Sequence, residues 1–154
     1  MTPERDRSIT ILMADDDLDD FMLIKEAFTE NNLETDLRFV EDGEALMDYL
    51  QRRSGYAECG VSPRPCLILL DLNMPGKDGR EALKEIKSDP DLRRIPIVVL
   101  TTSDDDKDVL LSYDLGANSF ITKPVMFADL VEVVKSLSVY WFNMVVLPPE
   151  KKAN

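Results

Sequence analysis

CLILLDLNMPGKDG, residues 66–79, is the stretch that decides the fold. Its first five residues are apolar apart from a cysteine and have the length of a strand. An unbroken apolar run of this kind points to a strand buried on both faces, as in a central parallel sheet. The run stops abruptly on a carboxylate, Asp71. Pro75-Gly76 then makes a turn, because proline presets the first turn angle and glycine permits a positive one. A helix follows from about Arg80 to Ser88.

The same grammar repeats on either side. ITILMA runs into Asp15-Asp16, IVVL into Thr101, and SFIT into Lys123-Pro124. Strands are predicted at Ser8–Ala14, Asp36–Val40, Cys66–Leu70, Ile95–Thr101 and Ser119–Thr122. Helices are predicted between and after them. The first is capped by Asp17, with Asp19 and Asp20 at its positive end. The others cover Gly43–Arg53, Arg80–Ser88, Asp106–Tyr113 and Phe127–Asn143. Strict strand–helix alternation predicts an α/β, doubly wound parallel sheet with helices on both faces, and right-handed crossovers leave few topologies. Ligands in such sheets bind at the carboxyl edge. Asp15, Asp16, Asp71, Thr101 and Lys123 would all meet there.

Three acids in one pocket repel one another unless a cation lies among them. A hard ion such as Mg²⁺ takes oxygen ligands and keeps several waters. Asp16 and Asp71 can each offer a carboxylate oxygen, a main-chain carbonyl just past Asp71 a third, and Asp15 can hold a metal-bound water. Carboxylates accept phosphoryl groups as acyl phosphates, which makes Asp71 the candidate nucleophile. Lys123 would pair with one phosphoryl oxygen and Thr101 would donate to another. Asp104, Asp105 and Asp106 read instead as a polar turn and a helix start.

Composition narrows the field. A chain of 154 residues suits one domain. A net charge of −12 argues against nucleic acid and anionic membranes as direct partners. The absence of histidine removes Ser-His-Asp and Cys-His catalysis and most zinc sites. The two cysteines lack zinc-ligand spacing; Cys66 reads as a small buried hydrophobe and Cys59 as a loop residue. The N-terminus has no signal-peptide design, and the uncharged run from Ser136 to Pro149 is too short and polar to span a bilayer. A cytoplasmic protein is expected.

ILMADDD, LILLDLNMPGKDG, IVVLTTS and FITKP, in this order, resemble the receiver domains of two-component response regulators. The resemblance runs from about Ser8 to Val139. It implies a flavodoxin-like five-stranded sheet of order 2-1-3-4-5, with Asp71 as phosphoacceptor and a sensor histidine kinase as partner. It further implies Asp15 and Asp16 as the acidic pair, the Asn73 carbonyl as a metal ligand, and Thr101 and Lys123 as phosphoryl sensors. Phe120 matches the aromatic switch position, and the bond before Pro124 is expected to be cis.

Two features depart from simple receivers: a long connection at 54–65, and an apolar tail after the fifth helix. Both are similar to single-domain receivers that serve phytochrome-type histidine kinases. The expected organisation is an N-terminal extension at 1–7, a receiver at 8–143 and a tail at 144–154, with no output domain after it. Leu130, Val134, Leu137 and Trp141 supply the buried stripe of the last helix. Val131, Val139, Tyr140, Phe142, Met144, Val145, Val146 and Leu147 add apolar surface beyond it, which predicts a symmetric homodimer. Two other readings compete. An aspartyl-phosphate phosphohydrolase needs an acid two residues after the nucleophile, where this chain has Asn73. A pseudo-receiver is opposed by the intact acids, Thr101 and Lys123.

Overall fold

A computed structural model describes residues 9–56 and 62–149. Among these residues five strands, β1 (Thr10–Ala14), β2 (Asp36–Val40), β3 (Leu67–Leu70), β4 (Ile97–Thr101) and β5 (Ser119–Thr122), alternate with five helices. The helices are α1 (Leu18–Glu30), α2 (Gly43–Gln51), α3 (Gly79–Ser88), α4 (Asp106–Asp114) and α5 (Phe127–Ser138). All strand pairs are parallel, as the strand–helix alternation predicts, and the order is β2-β1-β3-β4-β5, as the family resemblance implies.

The period-2 geometry of the strands builds two cores. Leu12, Ile68, Leu70, Ile97 and Val99 face α2 and α3, where Leu46, Met47, Leu83 and Ile86 meet them. Ile11, Met13, Leu69, Val98 and Leu100 face α1 and α5, where Ile24, Phe28, Leu130 and Val134 meet them. Every residue of β1, β3 and β4 is buried, because helices cover both faces. α4 is the loosest cover: its only buried residue is Ser112.

Several boundaries differ from expectation. α2 ends at Gln51 because Arg52 turns left-handed, at φ 55°, and its N–H is taken by Asp48 and Tyr49 carbonyls. Residues 92–94 form a 3-10 turn that consumes Ile95, so β4 starts only at Ile97. α5 keeps α geometry only to Ser138, and Val139–Met144 widens into a π-helical turn. Cys66 precedes β3 and is half-exposed, not buried. Cys59 and the extension at 1–7 lie outside the described residues. No described helix is long and apolar enough to cross a membrane.

Candidate functional site

The backbone ladder continues one residue past the strands and fixes three site residues. The N–H of Asp15 donates to the Val40 carbonyl at 3.1 Å, that of Asp71 to Ala14 at 2.9 Å, and that of Lys123 to Thr101 at 2.7 Å. Side chains there emerge from the rigid edge of the sheet, not from loose loops. The loop after Asp71 is pulled in just as tightly. Gly79 N–H bonds the Leu72 carbonyl at 2.9 Å. A Cβ on Gly79 would lie 2.2 Å from the Asp71 carbonyl oxygen, so only glycine fits this crossing. Gly76, at φ 66°, supplies the expected turn.

Both oxygens of Asp71 are engaged. Oδ1 accepts the Thr101 hydroxyl at 2.8 Å and the Asn73 N–H at 3.1 Å; Oδ2 faces the Lys123 ammonium at 3.1 Å. Lys123 Nζ also lies 2.6 Å from Asp15 Oδ2 and 2.6 Å from Asp20 Oδ2. Its three N–H donors are therefore matched by three carboxylates. Burial alone would lower the Lys123 pKa, but the bonds to Asp15 and Asp20 outweigh it, and the ammonium is held charged. Asp15 is fully buried, and desolvation pushes its carboxyl up to about 6 despite Lys123 and the Asp17 N–H, which donates to it at 2.9 Å.

Asp15, Asp16 and Asp71 offer carboxylate oxygens within 4.8 Å of one another, with Asp16 exposed at the mouth. The donor set is all oxygen, and two of its three acids are buried, which fits a hard divalent cation. The fold thus brings together Asp15, Asp16, Asp71, Thr101, Lys123 and the Asn73 main chain. Phe120 stands apart on β5, half-buried against the α2–α3 core and paired with Val99. The expected cis bond before Pro124 is absent: the described peptide bonds are all trans, and Lys123 reaches the pocket from a trans linkage.

Asp20 is the site residue that sequence reasoning missed. It looked like a charge for the α1 dipole. Its signal was its place as the third residue of a helix capped by Asp17, in the first turn after the strand that runs into Asp15. Seeing that Lys123 would arrive opposite it requires the fold.

The response regulator receiver domain model matches residues 11–135, and the chain belongs to that family. It is therefore a two-component signalling protein, of a class that accepts a phosphoryl group from a histidine kinase. The chain is 43% identical to response regulator Rcp1 of Synechocystis sp. over 148 residues, covering 96% of this chain and 99% of the relative. It superposes on the phosphorylated cyanobacterial phytochrome response regulator RcpA with a TM-score of 0.85 and 43% identity, over 93% of this chain and 100% of that one. For the Mn²⁺-bound form of Rcp1 the TM-score is 0.82 and the identity 44%, over 92% and 99%.

Proposed function

We propose that this receiver takes a phosphoryl group on Asp71 from a phytochrome-type histidine kinase. The convergence of Thr101 and Lys123 on the two Asp71 oxygens, beside Asp15 and Asp16, carries this reading. A carboxylate oxygen of Asp71 attacks the phosphorus of a phosphohistidine. The P–N bond breaks, the imidazole leaves with its electron pair and takes up a proton, and an acyl phosphate forms. Lys123 then balances one phosphoryl oxygen, and the Thr101 hydroxyl turns from Asp71 to donate to another. Mg²⁺ is the proposed ion; Asp15, Asp16, Asp71 and the Asn73 carbonyl would hold it. When bound, it neutralises the acids and shields the incoming phosphoryl oxygens. The same residues would serve phosphorylation and dephosphorylation by the protein itself, so no other substrate is required. Phe120 is the proposed aromatic switch. The likeness to RcpA, a cyanobacterial phytochrome response regulator, supports the choice of kinase class.

The receiver unit is proposed at 8–143, in the cytoplasm, with no nucleic-acid partner. It is further proposed to form a symmetric homodimer through α5 with its π turn, the tail and the α4–β5 side. Val139, Tyr140, Met144 and Val146 are exposed there. A groove of about 600 Å³ runs between β5 and α5, with Ile121, Val133, Tyr140 and Trp141 in its wall.

Incubation with Mg²⁺ and acetyl phosphate separates the readings. Modified Asp71 supports this one. Turnover of an organic phosphate without modified protein supports a phosphohydrolase, and inertness supports a pseudo-receiver.

A further inference from the structure

Arg80 follows Gly79 at the start of α3, and its guanidinium reaches from the acceptor loop to α4. Nε and Nη2 donate to Asp108 Oδ1 at 3.0 and 2.8 Å. Nη1 turns the other way, 3.5 Å from the Leu72 carbonyl and 3.4 Å from Asp78 Oδ2. Asp78 is itself held as the N-cap of α3 by a reciprocal capping box with Glu81. The second oxygen of Asp108 accepts the Ser103 hydroxyl at 2.7 Å. The Ser103 oxygen in turn accepts the Asp105 N–H at 3.4 Å, and Asp105 caps α4. A polar relay thus runs from the residue beside Asp71 to the loop two residues beyond Thr101.

Thr101 has little backbone freedom, because it pairs with Thr122 and its carbonyl holds the Lys123 N–H. Movement of its hydroxyl toward a group added to Asp71 must be absorbed by residues 102–105, which lie between β4 and α4. Within that loop the Asp105 side chain caps α4 locally, whereas the Ser103 side chain is tied to Asp108 and through it to Arg80. The Ser103 hydroxyl and the Arg80 guanidinium hold the Asp108 carboxyl below its ordinary range, so Asp108 stays an anion. Arg80 suits the task because a planar fork can bridge two elements, where a lysine would offer one point charge.

We propose that Arg80 is a positioning residue that anchors Asp108, and through it Ser103, so that the loop after Thr101 is latched to the acceptor loop until Asp71 is modified. The proposal rests on Asp71 as acceptor. The latch favours the unmodified arrangement, and the phosphoryl group must work against it. Loosening it shifts the population toward the modified arrangement without touching a group that meets the phosphoryl.

Beryllofluoride with Mg²⁺, an analogue of the phosphoryl group, tests this by calorimetric titration. Arg80→Gln and Asp108→Asn each should bind it more tightly than the parent, by up to about five-fold, the upper end for a partly exposed ion pair. The double variant should gain no more than either single one, because both break the same link. Arg80→Lys should change affinity in the same direction and serves if Arg80→Gln folds poorly. Equal or weaker binding in variants of native circular dichroism, or gains that simply add, would overturn the proposal. Hydrogen exchange in the metal-free, unmodified protein probes the latch independently. Amides 102–105 should exchange faster in Arg80→Gln, and unchanged rates would also overturn the latch. A parent that fails to bind beryllofluoride would refute Asp71 as acceptor, whereas the exchange result judges the latch alone.

Discussion

Lys123 sets the charge balance of the pocket. With its side chain only 12% exposed and three carboxylates around it, the ammonium offsets part of their negative charge. Removing one partner of a buried charge cluster costs about 3–5 kcal/mol, because the remaining charges lose their compensation. Lys123→Ala should therefore lower the melting temperature of the metal-free protein, and Mn²⁺ should raise it more in the variant than in the parent. An equal rise in both would show that lysine and metal do not compete for the same acids. Asp15 adds a pH signature. Its folded pKa of about 6 lies above the ordinary value of 3.8, so the folded chain holds this proton more tightly than the unfolded one. Its contribution is neutral below the unfolded value and turns unfavourable as pH rises to about 6. Denaturant titrations without metal should show Asp15→Asn gaining stability relative to the parent between about pH 4 and pH 6. A constant difference would count against that shift. At this scale the sequence was most legible where a strand ended. Asp15, Asp71, Thr101 and Lys123 stood out because apolar runs stop on them. Asp20 was hidden because its partner is contributed by a segment 103 residues away.

The elements place these residues through close crossings, and Gly79 makes the tightest one at the acceptor loop. Gly79→Ala would drive a methyl group into the Asp71 carbonyl, and overpacking of this kind typically costs about 1–3 kcal/mol. The acceptor loop should shift as well, so phosphorylation should slow even in the folded fraction. Native stability together with a native labelling rate would show that the loop yields without effect. The end of α5 is a second test. Trp141 and Phe142 pack against the α1–α5 core from the π turn, while Val139 and Tyr140 point outward. Truncation after Val139 removes both kinds of contact, and should yield a less stable protein that is monomeric or aggregates, as read by thermal unfolding and light scattering. Element order and type were legible because alternation is a strong signal. Ends were less so: the left-handed Arg52, the 3-10 turn at 92–94 and the π turn are settled by local hydrogen bonds that apolar spacing does not encode.

The whole molecule was readable because four polar strand ends make sense only in one parallel sheet. The proposed dimer is a different matter, since surface pattern says where a chain is apolar but not what covers it. Sedimentation of the full chain should show a dimer that beryllofluoride strengthens, and monomers at high concentration in both states would assign the tail to its own domain. Phosphoryl transfer to Asp71 is read by peptide mapping after incubation with Mg²⁺ and acetyl phosphate. One phosphoryl group should appear on the peptide containing Asp71, and none anywhere in Asp71→Asn. A label on another residue, or equal labelling of Asp71→Asn, would contradict the assignment.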